Sequence, residues 1–208
     1  MSRKQVLDAL IANRIMGLAR TDTKQSGQDL AQALVAAGLK SIEITLTSPG
    51  ALEIVKKLAG DKNLVVGVGT VLTTKEVSKA KAAGAKFIVS PNTDSKVIKK
   101  TIDSGLVSMP GVASPTEVST AIAAGADILK LFPASTYGPA HLKALRDPFP
   151  GQIWCPTGGV TVESIQDWVK AGAKMFGLGG PLTRDGVSNV ARNFEKFSRA
   201  INSAGFLN

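Results

Sequence analysis

Short apolar runs recur along the chain, and most are entered through a glycine that follows a stretch with helical spacing. The junctions read AAGLKSIEI, LAGDKNLVVGV, AAGAKFIVS, DSGLVSMPG, AAGADILKLF and KAGAKMFGLG, at Gly38, Gly60, Gly84, Gly105, Gly125 and Gly172. The first five are separated by steps of 20 to 24 residues, and the last step is about twice as long. Its middle holds Pro148-Phe149-Pro150-Gly151 followed by the apolar run IWCPT, which makes a seventh unit. A glycine in the left-handed conformation ends a helix and lets the chain turn directly into a strand. An eighth run, IMGLA, precedes the first junction. The pattern predicts strands over 14–20, 40–46, 63–69, 86–90, 106–110, 126–132, 152–157 and 174–179.

Between the strands the spacing of DLAQALVAAG and ESIQDWVKAG is helical. Thr73 with Glu76 and Ser114 with Glu117 fit capping boxes, and Pro115 falls at the first helical position. Residues 1–13 form an additional amphipathic helix with Val6, Leu7, Leu10 and Ile11 on one face, and a last helix runs from about Val187 to Ala204. After the sixth strand the pattern is less regular, with Gly138-Pro139 opening a short helix, HLKALRD. Eight strands alternating with helices over 208 residues predict a (β/α)8 TIM barrel with an extra N-terminal helix, a single domain spanning 1–208. The competing architecture is an open doubly wound sheet, which usually carries a glycine-rich phosphate loop after its first strand; here that strand ends in LART.

Composition narrows the function class. Hydrophobic residues make up 44%, enough for a sizeable core. The longest apolar runs fall far short of the ~20 residues of a membrane helix, so no membrane association is expected. The N-terminal stretch does not read as a signal peptide. Cys155 is the only cysteine, which rules out an intramolecular disulfide and suits a cytoplasmic setting. The formal net charge is +9, yet the basic residues are scattered and aromatics are few, at 5%. That argues against nucleic acid and leaves a basic surface with a hint of an anionic small substrate.

In a barrel the chemistry sits at the carboxyl ends of the strands. In order, those ends present Arg20; Glu43 within SIEITL; Thr70 after GVG; Ser90-Pro91; Pro110-Gly111; Lys130; Thr157-Gly158-Gly159; and Gly179-Gly180. Lys130 stands in ADILKLFP, an apolar run. Lysine is rarely buried without a reason. Burial strips water from an ammonium and favours the neutral amine, a nucleophile that forms a Schiff base with a ketone. The plain alternative is a strand-end lysine whose head reaches solvent. Glu43 is the other ionisable residue inside an apolar strand, and the two make either a structural pair or an amine with its proton carrier. Glycines in the last two loops let backbone N–H groups approach an anion. Cys155 reads as core. His141 is the only histidine and is expected to be exposed, and no residue cluster has metal-ligand spacing, so neither a metal nor a cofactor is expected.

Taken together, EITL, VGVGTVL, VSPN, MPG, LKLFPAS and CPTGG resemble, in order and through nearly the whole chain, the 2-keto-3-deoxy-6-phosphogluconate/4-hydroxy-2-oxoglutarate aldolases. SPNTDSKVIKK and LKLFPASTYGPAHLKAL look most similar to the 6-phosphogalactonate branch. The resemblance implies a class I aldolase that cleaves a 2-keto-3-deoxy-6-phospho sugar acid to pyruvate and glyceraldehyde 3-phosphate. It assigns Lys130 to the Schiff base and Glu43 to acid/base work. Thr70, Pro91 and Phe132 would line the pyruvate pocket, and Gly158, Gly159, Gly179 and Gly180 would hold the phosphate. It further implies a cytoplasmic homotrimer. Thr47 stands where the gluconate branch carries arginine, and Arg20 matches the arginine that the galactonate branch uses instead. Thr157 matches the gluconate branch. Gly180 and Pro181 occupy the positions where both branches carry a serine, which leaves a hydroxyl donor missing. The alternatives are an aldolase for an unphosphorylated keto acid such as 4-hydroxy-2-oxoglutarate, a sugar-phosphate isomerase or synthase that uses no imine, and a keto-acid sensor without turnover.

Overall fold

A computed structural model describes residues 1–206; the last two residues of the expected 1–208 domain lie outside it. The protein is an α/β fold whose parallel strands curl into a half-barrel with helices on the outside. The strands are β1 (Ile15–Ala19), β2 (Ser41–Thr45), β3 (Val65–Gly69), β4 (Phe87–Val89), β5 (Val107–Met109), β6 (Gly111–Val112), β7 (Lys130–Leu131) and β8 (Phe176–Leu178). Six of them form one sheet in the order β5-β4-β3-β2-β1-β8, and β6 pairs with β7. Every pairing is parallel.

Three expected strands differ clearly from their expected extent. The run at 106–110 is followed, across Pro110, by β6: β5 ends at Met109 and β6 begins at Gly111, while Pro110 keeps a carbonyl that accepts from Lys130 N at 2.9 Å. The run at 152–157 forms no continuous strand. It joins its neighbours through isolated parallel bridges, Leu129 with Trp154, Trp154 with Ala173, and Thr157 with Gly177. Pro156 lies one residue before its end and has no N–H to give a ladder. The expected sixth strand over 126–132 contracts to β7.

The helices begin with α1 (Arg3–Asn13), α2 (Lys24–Ala36), α3 (Ala51–Leu58), α4 (Thr74–Ala82), α5 (Ser95–Asp103) and α6 (Pro115–Ala123). Both expected capping boxes are present, at Thr73 for α4 and at Ser114 for α6. A third, Ser2 with Gln5, starts α1. Gly38, Gly84, Gly105, Gly125 and Gly172 all have positive φ after their helices; Gly60 does not. After β7 come α7 (Ala134–Arg146), broken at Gly138 (φ 73°), then α8 (Ile165–Ala171), the single turn α9 (Gly180–Thr183) and α10 (Val190–Ser203). The last helix therefore starts later than Val187, after a 3-10 turn at Val187–Asn189.

Two apolar cores result. The outer one lies between sheet and helices. The inner one gathers Met16, Val65, Phe87, Val107, Met109, Ile128, Cys155 and Met175 from the concave side of the strands, closed by Val6 and Leu10 of α1. Leu7 packs against it half-buried. Met16, Val65, Phe87 and Val107 stand at the start of their strands, and Ile128 and Met175 just before theirs, so α1 covers the amino end. Arg3 fixes it there by two hydrogen bonds to Asp127, at 2.6 and 3.2 Å, and Asp127 also accepts from Ser108 N at 2.8 Å.

Candidate active site

The opposite, carboxyl end opens into a cavity of about 710 Å³ lined by Leu18, Arg20, Thr70, Pro91, Lys130, Phe132, Thr157, Gly158, Gly159, Gly179, Gly180, Pro181, Thr183 and Arg184. Its size suits a small ligand. Lys130 and all nine residues expected to bind substrate line this one space, although they come from six different strand ends. Glu43 lies in the wall behind them, 1% exposed.

Lys130 opens β7, where Gly111 is its partner in the ladder. It is 5% exposed, and Nζ sits 4.5 Å from the centre of the Phe132 ring. The aromatic face attracts the ammonium and gives it a dry wall. A solvent-reaching head is therefore not what the structure places here. Gly111 itself permits a tight crossing, because a Cβ there would lie 2.2 Å from Pro91 O. That closeness sets Pro91 beside the lysine strand.

Glu43 sits in the middle of β2, paired with Leu18 of β1 and Gly67 of β3. Its Oε2 is buried with no hydrogen-bond partner among the described residues. Burial pushes the carboxyl above its ordinary range, and the charges of Lys130 and then Arg20 pull it part of the way back. The room for this side chain comes from β3, VVGVG. A Cβ on Gly69 would stand 1.7 Å from Glu43 Oε1, and one on Gly67 would stand 2.4 Å from the Phe87 ring. Val66 and Val68 point to the outer core, so the two glycines lie on the inner face as space for neighbours. Glycines two apart in an apolar strand were the available signal for a side chain crossing over β3.

Thr70 carries φ 58°, a conformation that is an outlier for a β-branched residue and typical of functional sites. Its Oγ1 accepts from Arg20 Nη2 at 3.3 Å. Arg20 thus leans from the end of β1 across β2 toward β3, over Glu43. Thr157 is buried, with Oγ1 3.3 Å from Cys155 O, and its side chain fills the space over Gly177, where a Cβ would come within 2.3 Å. Gly158 and Gly159 both have positive φ, at 90° and 82°. The loop is tied to α7 through Ala134 N to Thr157 O and Ser135 N to Gly158 O, both 2.8 Å.

Three further residues shape the picture. Cys155 is fully buried and its thiol is pushed up to about 12 by burial, so it belongs to the core. His141 is half-buried rather than exposed. Its Nε2 lies 2.6 Å from Ala113 O, and its ring stacks on Tyr137. Thr47, at the position where one branch carries arginine, does not line the cavity; its hydroxyl bonds to Thr45. Pro181, one of the two positions where a serine is expected, lines the cavity too; Leu18, Thr183 and Arg184 line it without having been singled out. The last two follow a glycine pair in a stretch with no apolar period, where pattern gives no direction for a side chain.

An amine, a protonatable carboxyl and an anion-tolerant glycine rim are the parts that imine chemistry on a small keto acid needs. The comparisons with known proteins point the same way. The chain is 38% identical over 178 residues to the 2-dehydro-3-deoxy-6-phosphogalactonate aldolase of Escherichia coli (strain K12), covering 83% of this chain and 86% of that one. A solved structure described as native KDPGal superposes with a TM-score of 0.84 at 35% identity, over 91% of this chain and 95% of its own. The KDPG aldolase from Legionella pneumophila, solved with pyruvate captured as a covalent carbinolamine, superposes with a TM-score of 0.80 at 26% identity, over 97% and 98%. The family model described as KDPG and KHG aldolase matches residues 6–196, a span that takes in every strand and every cavity residue, and the chain belongs to that family.

Proposed function

We propose that this protein is a class I aldolase acting on a 2-keto-3-deoxy-6-phospho sugar acid, with Lys130 as the Schiff-base lysine and Glu43 as the acid/base. The observation that carries the assignment is the pair itself: two buried ionisable side chains, Lys130 lining the cavity and Glu43 in the wall behind it within reach of the lysine's charge, with the carboxyl held above its ordinary range. The Lys130 amine adds to the C2 ketone, and the carbinolamine loses water to give an iminium. The Glu43 carboxylate, directly or through a water, takes the C4 hydroxyl proton. The C3–C4 bond breaks, its electron pair entering a C2–C3 enamine while glyceraldehyde 3-phosphate leaves. The enamine is protonated at C3, and water hydrolyses the imine to pyruvate and free lysine. Thr70, Pro91 and Phe132 surround the pyruvate end; Thr157, Gly158, Gly159, Gly179 and Gly180 face the rest of the substrate.

The galactonate epimer is favoured over the gluconate one, since Arg20 borders the cavity and Thr47 does not. The same reading takes the strands and the 152–157 bridges as a closed (β/α)8 barrel of one domain, working in the cytoplasm as a homotrimer without metal or cofactor. Neither nucleic acid nor membrane is a partner in this reading; among the described residues no helix is long and apolar enough to cross a membrane. Pyruvate with borohydride is expected to add mass at Lys130 alone, and Lys130→Ala to abolish both the adduct and cleavage. Activity that survives Lys130→Ala would instead indicate chemistry without an imine. Gly180 and Pro181 favour a second reading, cleavage of an unphosphorylated keto acid such as 4-hydroxy-2-oxoglutarate. A coupled pyruvate assay on the three substrates decides between them, and light scattering tests the trimer.

A further inference from the structure

The phosphate end of the cavity has a gap in its chemistry. A phosphate dianion needs several donors, and the loop after β8 offers few: Gly180 has no side chain, and Pro181 has neither N–H nor polar side chain. Around Gly180 there is open space, with nothing within 4 Å of where a Cβ would stand. Thr183 turns its hydroxyl to Gly179 O, at 3.3 Å.

Three cationic side chains line the cavity: Arg20, Lys130 and Arg184. Two are committed elsewhere. Lys130 sits against Phe132 as the amine of the proposed reaction. Arg20 reaches to Thr70, on the β3 side. Arg184 stands at the end of α9, beside the β8 loop. It is exposed, and its Nε makes one long contact, 3.4 Å, to Gly180 O within its own turn. A guanidinium carries five N–H groups, so the remaining donors stay available. The adjacent Asp185 is engaged by Asn193 Nδ2 at 3.3 Å. The other charges near Arg184 are Glu163 and Lys196, which border with it a second cavity on the far side of Pro181.

We infer that Arg184 is the specificity-determining residue for the substrate's phosphate, its planar fork supplying the donors that Gly180 and Pro181 lack. A guanidinium pairs two N–H groups with two phosphate oxygens, a geometry lysine does not reproduce. Its place at the exposed rim lets it close on the anion after the keto acid has reached Lys130.

This inference rests on the proposed aldolase activity, and the test separates the two. The same 2-keto-3-deoxy sugar acid, with and without its 6-phosphate, is given to the wild type, Arg184→Ala and Arg184→Lys. The quantity read is the ratio of kcat/KM for the two substrates, together with inhibition by inorganic phosphate. The ratio is expected to fall on the order of 10- to 100-fold in Arg184→Ala, chiefly through KM, the scale of a lost hydrogen bond to a charged group. Phosphate inhibition weakens in parallel, and Arg184→Lys falls between. An unchanged ratio, an equal loss for both substrates, or a lysine variant no better than alanine overturns the assignment. If the wild type forms no borohydride-trapped adduct with pyruvate, the aldolase reading falls and takes this one with it. A trapped adduct with an unchanged ratio removes Arg184 alone.

Discussion

At the scale of single residues the site depends on how Glu43 is buried. Desolvation raises its pKa more than the charges of Lys130 and Arg20 lower it. The folded protein therefore binds the Glu43 proton more tightly than the unfolded chain does. The associated stability is fully present below the ordinary glutamate pKa, about 4.3, and is lost as pH rises through the higher folded value. Glu43→Gln removes that dependence. Its urea midpoint is expected to decline less than the wild type's from about pH 4.3 upward, in paired denaturation curves. The same substitution removes the base, and turnover is expected to fall by roughly 10²–10⁴. A variant that keeps turnover would show that the carboxyl is there for structure alone. Both ionisable residues were legible in the sequence, because a charge inside an apolar run is conspicuous. The direction of Arg184 was not, because an exposed arginine after a glycine pair looks like any surface residue.

At the scale of elements the glycines of β3 explain why a glutamate fits inside a strand layer. Gly69 leaves the volume that Glu43 Oε1 occupies, with 1.7 Å between that oxygen and a built Cβ. Gly69→Ala must displace the carboxylate or shift β3 against β2. A loss of about 1–3 kcal/mol is expected from overpacking, with a larger proportional loss of turnover than of stability. Denaturation and pyruvate-release assays on one preparation measure both. The strands themselves were readable from their apolar runs and glycine junctions; β7 brings Lys130 to the cavity, and β2 holds Glu43 in the wall behind it. The continuity of the strands was less readable. Pro110 and Pro156 stand inside runs that look continuous in hydrophobicity, and a residue without an N–H interrupts the ladder whatever its neighbours. Hydrophobic pattern reports burial on a sheet, whereas hydrogen-bonded length depends on donors.

At the scale of the whole molecule the two ends of the strands have different duties. The carboxyl end holds the cavity, Lys130 and the glycine loops. The amino end is shut by α1, whose Val6 and Leu10 complete the inner core and whose Arg3 grips Asp127 three residues before Lys130. Conserving this division through folding means that damage at the amino end weakens the protein without altering its chemistry. Leu10 is the sharpest probe, since it is fully buried and belongs to the same apolar cluster as Met16, Val65 and Ile128. Leu10→Ala removes a buried side chain and leaves a cavity, a loss of about 2–5 kcal/mol. The urea midpoint is expected to drop accordingly, while pyruvate trapping at Lys130, counted per folded molecule below the transition, stays at the wild-type level. A loss of trapping in still-folded Leu10→Ala would mean that α1 sets the position of the lysine as well as the stability of the core. In that case Arg3→Ala, which frees the same helix from Asp127 without touching the inner core, would lower trapping too.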